Sequence, residues 1–189
     1  MSSSNRSHPD LVEIIAEFDR TTPLDASTVR RWMTTDDIEA AGALMALLAN
    51  SKHDSRINPP LRPEEYFEFV RRYYERSLLE NPDGEWADST TTAGYDFARW
   101  FQRLWDDPAV PKSAMNDLKT SLERTYSAAP DAVRRNIINS ALEQLFRNSE
   151  ILNYFSDWKQ DALLESAYNE ARESNLARKA FREKGEASE

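Results

Sequence analysis

The acidic residues Glu64, Glu65 and Glu68 in "EEYFE", with Glu80 and Asp83 in "ENPD", are where type and spacing most suggest chemistry in this chain. Carboxylates one helical turn apart can share a hard cation such as Mg²⁺, which takes oxygen ligands. The rest of the catalytic inventory is thin. The chain has no cysteine, so disulfides and thiolate chemistry are excluded. His8 and His53 are the only histidines, and both fall in polar segments that read as tail and linker. Each is expected to be an ordinary surface residue rather than a metal ligand or a triad base. There is no Gly-rich phosphate loop, Walker lysine or GxSxG turn.

A second cluster suggests binding rather than catalysis. Trp86 stands in "NPDGEWADSTTTAG", outside any helical stripe. From Glu80 to Asp96 the chain carries Glu80, Asp83, Glu85, Asp88 and Asp96 but no lysine or arginine. An acidic patch around an aromatic anchor suits a basic protein partner, since tryptophan is enriched at interface hot spots. The competing expectation is a solvated loop in which Trp86 folds back as a lid on the core and Asp88 favours a helix start.

Helices must position both clusters. Pro9, Pro63, Pro111 and Pro130 each precede an apolar run with 3.6-residue spacing, as expected for prolines at helix starts. Asp25 and Thr35 are expected to cap two further helices, the second carrying the uncharged run Ala40 to Ala49. That run is expected to be buried on most sides. Phe97, Trp100, Phe101, Leu104 and Trp105 follow the i, i+3, i+4, i+7, i+8 rule, so the aromatic "GYDFARWFQRLWDD" reads as core. Asn81-Pro82-Asp83-Gly84 reads as a turn that ends the helix opened by Pro63. No stretch alternates with period two for long enough to be a strand. The expected fold is all-α, an irregular bundle of seven to nine helices without a sheet. The expected organisation is a disordered tail at 1–8, a short helical segment at 9–50, a linker or long loop at 51–62, a main helical domain at 63–183 and a frayed tail at 184–189.

Composition limits the function classes. A net charge of −9 opposes nonspecific nucleic-acid binding, which rests on phosphate neutralisation by Lys and Arg. The longest uncharged apolar run, 40–49, is about half of the ~20 residues a membrane span needs. The polar N-terminus lacks a secretory h-region, so a cytoplasmic protein that binds neither nucleic acid nor membrane is expected.

Two resemblances bear on function. "NPDGEWADS", "WFQRLWDD", "LEQLF" and "YFSDWKQDALLESAYNEA" together resemble a group of uncharacterised bacterial helical proteins over about residues 63–171. This resemblance implies a helical domain and no catalytic residue. The acidic spacing resembles the EExxE…ExxD pattern of the all-α MazG-type nucleotide pyrophosphohydrolases, whose carboxylates hold Mg²⁺ for attack on a nucleoside triphosphate. It implies a metal site at Glu64, Glu65 and Glu68. The predicted helix argues against that site, because it holds Glu68 and Glu80 ~18 Å apart at about 1.5 Å per residue. The leading expectation is therefore a non-enzymatic, acidic protein-binding or adaptor protein, needing no cofactor, that occludes a basic partner as an immunity protein does. Trp86 would anchor and Asp83, Glu85 and Asp88 would steer. The metal-dependent pyrophosphohydrolase is the enzyme alternative. A homo-oligomer joined through the aromatics of residues 66–105 is the structural one.

Overall fold

Proline placement and capping side chains define most helix starts. The structure is a computed structural model and describes residues 8–186, with side chains through Phe181. The expected tail at 1–8 thus lies, except for His8, outside the described residues. His8 caps α1 (Pro9–Ala16), its Nδ1 accepting the Asp10 N–H at 3.3 Å. Asp25 caps α2 (Ala26–Trp32) by accepting the Ser27 N–H at 2.7 Å. The cap of α3 (Ile38–Ala49) is Asp37 rather than Thr35, its carboxylate accepting from Ala40 N–H at 2.8 Å. Thr35 lies two residues earlier and its hydroxyl faces the Asp37 N–H instead. Then come α4 (Ser51–Asp54), α5 (Pro63–Glu80), α6 (Thr90–Asp106) and α7 (Lys112–Ala128).

One rod then follows, formed by α8 (Asp131–Ile137), a π-helical segment (Ile138–Leu142) and α9 (Glu143–Leu145). The chain ends with α10 (Ser149–Tyr154), a 3₁₀ stretch (Ser156–Gln160) and α11 (Ala162–Glu186). Helix α11 includes residues 184–186 of the expected frayed tail, and residues 187–189 lie outside the described residues. Counting the interrupted rod once, ten helices occur among the described residues, above the seven to nine expected. The excess comes from single-turn helices such as α4, too short to show a period.

The expectation of no sheet is corrected. Strands β1 (Leu24–Asp25) and β2 (Ile57–Asn58) pair in parallel, Leu24 with Ile57 and Asp25 with Asn58. Two-residue strands leave no alternation to read, and their pairing is held from outside by Arg56. That guanidinium donates to the Thr22 carbonyl at 2.8 Å, the Glu17 carbonyl at 3.0 Å and the Glu17 carboxylate at 2.6 Å. His53 is corrected with it. It is buried, not a surface residue, with its Nδ1 3.1 Å from Arg56 and its ring edge-on to Phe18. The segment read as a linker at 51–62 therefore carries a helical turn, a strand and a buried histidine.

By packing, the chain divides into two compact units, Met1–Ser89 and Thr90–Glu189. In the first, α3 is the central element, packed by α1, α2, α4 and α5, and Ala40, Ala41, Gly42, Ala43, Leu44, Leu47 and Leu48 are all buried. Helix α5, which the sequence grouped with the C-terminal helices, packs here against α3. In the second unit α6 and α11 pack on the interrupted rod. Phe97, Trp100 and Phe101 are buried as core, while Tyr95 is exposed and Trp105 half-buried. Gly94 lets α6 approach the π segment, because a Cβ there would lie 2.7 Å from the Ser140 Cβ. The Ser140 hydroxyl turns back to donate to the Asn136 carbonyl at 2.6 Å. Phe155 joins the layers, with ring centroids 5.8 Å from Phe101, 5.5 Å from Phe146 and 5.1 Å from Trp158.

Candidate functional site

Asn81 ends α5 in the left-handed conformation, φ 46°, which asparagine tolerates better than most residues. The chain then crosses back over α3 as the acidic turn 82–88. Helix α3 holds that turn by two devices. Glu39, in its first turn, accepts the backbone N–H of Trp86 at 2.8 Å and of Ala87 at 3.2 Å. Charge-assisted bonds of this kind are about twice as strong as neutral ones. Gly42, one turn further on, leaves room for the backbone itself: a Cβ at 42 would sit 2.5 Å from the Trp86 carbonyl carbon and 2.7 Å from the Ala87 Cα. The turn is thus clamped at main-chain level.

Each sequence-predicted residue has a defined place. Trp86 is half-buried and lies over Phe18, ring centroids 5.3 Å apart at 35°, so it covers the core of the first unit with much of its indole. Asp88 is half-buried and accepts the Tyr73 hydroxyl at 2.9 Å, while the Asp88 N–H donates back to the same oxygen at 2.9 Å. Burial pushes the Tyr73 phenol up in pKa, so that hydroxyl stays protonated and donating. Asp83 and Glu85 are exposed. Of the four residues read as a binding patch, two face solvent and two are tied into the scaffold that presents them. Glu80 pairs with Arg76, at 2.7 Å.

The carboxylates read as a metal site are spent differently. Glu65 accepts from Arg30 through both oxygens, at 3.0 and 3.3 Å, and from the Arg62 side chain at 3.1 Å. It also takes the Arg62 backbone N–H at 2.9 Å, which closes the start of α5. These donors, Arg30 first, hold its carboxyl down to about 2. Glu68 pairs with Arg71 at 2.7 Å, and Glu64 is exposed. Helix α5 is unbroken from Pro63 to Glu80, so Glu68 and Glu80 stand at different ends of one rod. Among the described residues no three acidic or histidine side chains converge to hold a metal ion. Among the described residues no helix is long and apolar enough to cross a membrane.

Sequence reasoning missed Glu39, Phe18 and Tyr73, the three side chains that fix the turn. One signal was present. A glycine inside the otherwise apolar α3 costs helix stability and often marks a close approach. No protein-family model, curated protein or solved structure matches the chain.

Proposed function

We propose that the chain is a non-catalytic binding protein whose acidic turn 82–88 recruits and occludes a basic protein partner. The observation that carries this reading is the Glu39 clamp on the Trp86 and Ala87 amides, which fixes an exposed Asp83 and Glu85 on a preset backbone. A turn already held in one shape loses little entropy on binding, so more of the contact energy reaches affinity. Its two free carboxylates lie in a stretch, 80–96, without a single lysine or arginine, and they add attraction that speeds encounter with a cation-rich surface. Trp86 and Asp88 act as positioning residues. The accessible part of the Trp86 indole extends the contact area beside the carboxylates.

The test is affinity capture from the source cell's lysate with the whole chain, beside Asp83→Asn with Glu85→Gln and, separately, Trp86→Ala. A basic protein held by the parent, and retained several-fold less by the charge variant at about 10 mM salt, is the expected outcome. The same protein held equally by both would move the site off this turn. Capture of nothing specific would remove the binding reading.

A further inference from the structure

The second unit carries a surface of opposite character. Helix α11, the turn that follows the interrupted rod, and α10 line a groove of about 420 Å³. Its floor is apolar, formed by Phe146, Leu152 and Leu176, and Leu176 is 55% exposed although it is a large aliphatic residue. Its rim is cationic, formed by Arg147, Arg172, Arg178 and Lys179, and among the described residues no carboxylate lines it. Arg178 is neutralised by the buried Glu143, Nη2 to Oε2 2.5 Å. Arg147, Arg172 and Lys179 have no carboxylate partner among the described residues. Three uncompensated cations around an apolar floor are out of keeping with a chain of net charge −9.

The groove is also braced. Asn175 donates to the Glu143 carbonyl at 2.9 Å and to the Ala171 carbonyl at 3.1 Å, and Gln102 donates to the Gln144 carbonyl at 3.0 Å. The bonds to Glu143 and Gln144 fall on carbonyls in the last turn of the rod, and the bond to Ala171 holds the Asn175 amide along α11. Residues 172, 175, 176 and 179 recur at i, i+3, i+4 and i+7, so α11 offers one continuous face over about 10 Å, two helical turns.

We infer that this groove docks an acidic amphipathic helix of a partner protein, with apolar side chains against Leu176 and Leu152 and carboxylates against Arg147, Arg172 and Lys179. Helix-in-groove recognition needs this combination of an apolar trough, two-turn length and flanking charge. Charge complementarity selects the occupant. A second copy of this chain brings its own net −9, and a nucleic acid adds a far denser line of negative charge to an acidic protein. A short acidic segment meets the three cations without either penalty. The inference is independent of the turn 82–88, and would make the protein a bridge between a basic and an acidic partner.

The test is fluorescence anisotropy of the full chain with a labelled 16-residue peptide, Leu at i, i+3, i+4 and i+7 and Glu on the polar face. A matched peptide carries Lys for Glu, and a third keeps the composition but scatters the leucines. The Glu peptide should bind in the micromolar range at low salt, and each control about tenfold or more weaker. Leu176→Ser should weaken binding about tenfold, and Arg172→Glu with Lys179→Glu should abolish it, with unchanged circular dichroism. Equal binding of the three peptides, insensitivity to these substitutions, or no binding would overturn the inference. So would preference for phosphatidylserine vesicles over the Glu peptide, or a dimer dispersed by Leu176→Ser, which would assign the groove to lipid or to a second copy.

Discussion

Replacing Gly42 by alanine should destabilise the protein, although the same change on a free helix surface stabilises it. On an open helix the gain is about 0.8–1 kcal/mol, from helix propensity and reduced freedom of the unfolded chain. At position 42 the added methyl would lie 2.5 Å from the Trp86 carbonyl carbon and 2.7 Å from the Ala87 Cα. Carbon atoms settle about 3.5–4.0 Å apart, so the turn must retreat by about 1 Å. The atoms in the way are backbone, and no rotamer change relieves the clash. Overpacking of this kind costs about 1–3 kcal/mol. The retreat also stretches the two amide bonds to Glu39, each of a class worth about 1.5–3 kcal/mol when intact. Weighed against the helix gain, a net loss of about 1–2 kcal/mol is expected. Urea unfolding at an unchanged m-value measures it, and hydrogen exchange should show faster exchange at the Trp86 and Ala87 amides. A Gly42→Ala protein that is more stable than the parent by about 1 kcal/mol would refute the clamp.

Three other predictions rest on separate contacts. The Glu65 carboxyl is held at about 2 in the folded chain against 4.5 ordinarily, so its contribution to stability is complete above about 4.5 and is lost as pH falls toward 2. Glu65→Gln should therefore be less stable than the parent at pH 7, with the difference shrinking across that window; a pH-independent difference in melting temperature would contradict this. Arg56→Met leaves the buried Glu17 carboxylate with Arg20 alone and takes the donor from the Glu17 and Thr22 carbonyls, so it should cost about 1–3 kcal/mol in urea, with only part recovered by adding Glu17→Leu. Gly94→Ala drives a methyl into Ser140 and should cost about 1–3 kcal/mol, with Ser140→Gly recovering part of the loss in a double-mutant cycle.

The helices were legible because their signals are local. Pro63 and Pro9 stand at the first helical position, and Asn81-Pro82 terminates α5 where turn chemistry requires. The aromatic stripe of α6 is buried at Phe97, Trp100 and Phe101 because a 3.6-residue period maps directly onto one helix face. What stayed hidden depends on contacts between distant residues. Glu39 reaches Trp86 across 47 positions, and Arg56 reaches Glu17 across 39. Neither pair alters the pattern around it. The β1–β2 pairing is two residues deep, below any periodic signal, and it carried His53 from an apparent linker into the interior. The candidate turn was legible as an acidic stretch around a tryptophan. Which of its side chains face outward was not, because that is decided by Phe18, Tyr73 and Glu39 from other segments.

The central claim is that Asp83 and Glu85 on the clamped turn steer a basic partner. With the captured partner, stopped-flow association at about 10 mM salt, where the Debye length is about 30 Å, tests it most directly. Asp83→Asn with Glu85→Gln should slow association several-fold while leaving dissociation nearly unchanged, and the gap should close as salt rises to about 0.15 M. Equal association rates for parent and variant at low salt would contradict the claim.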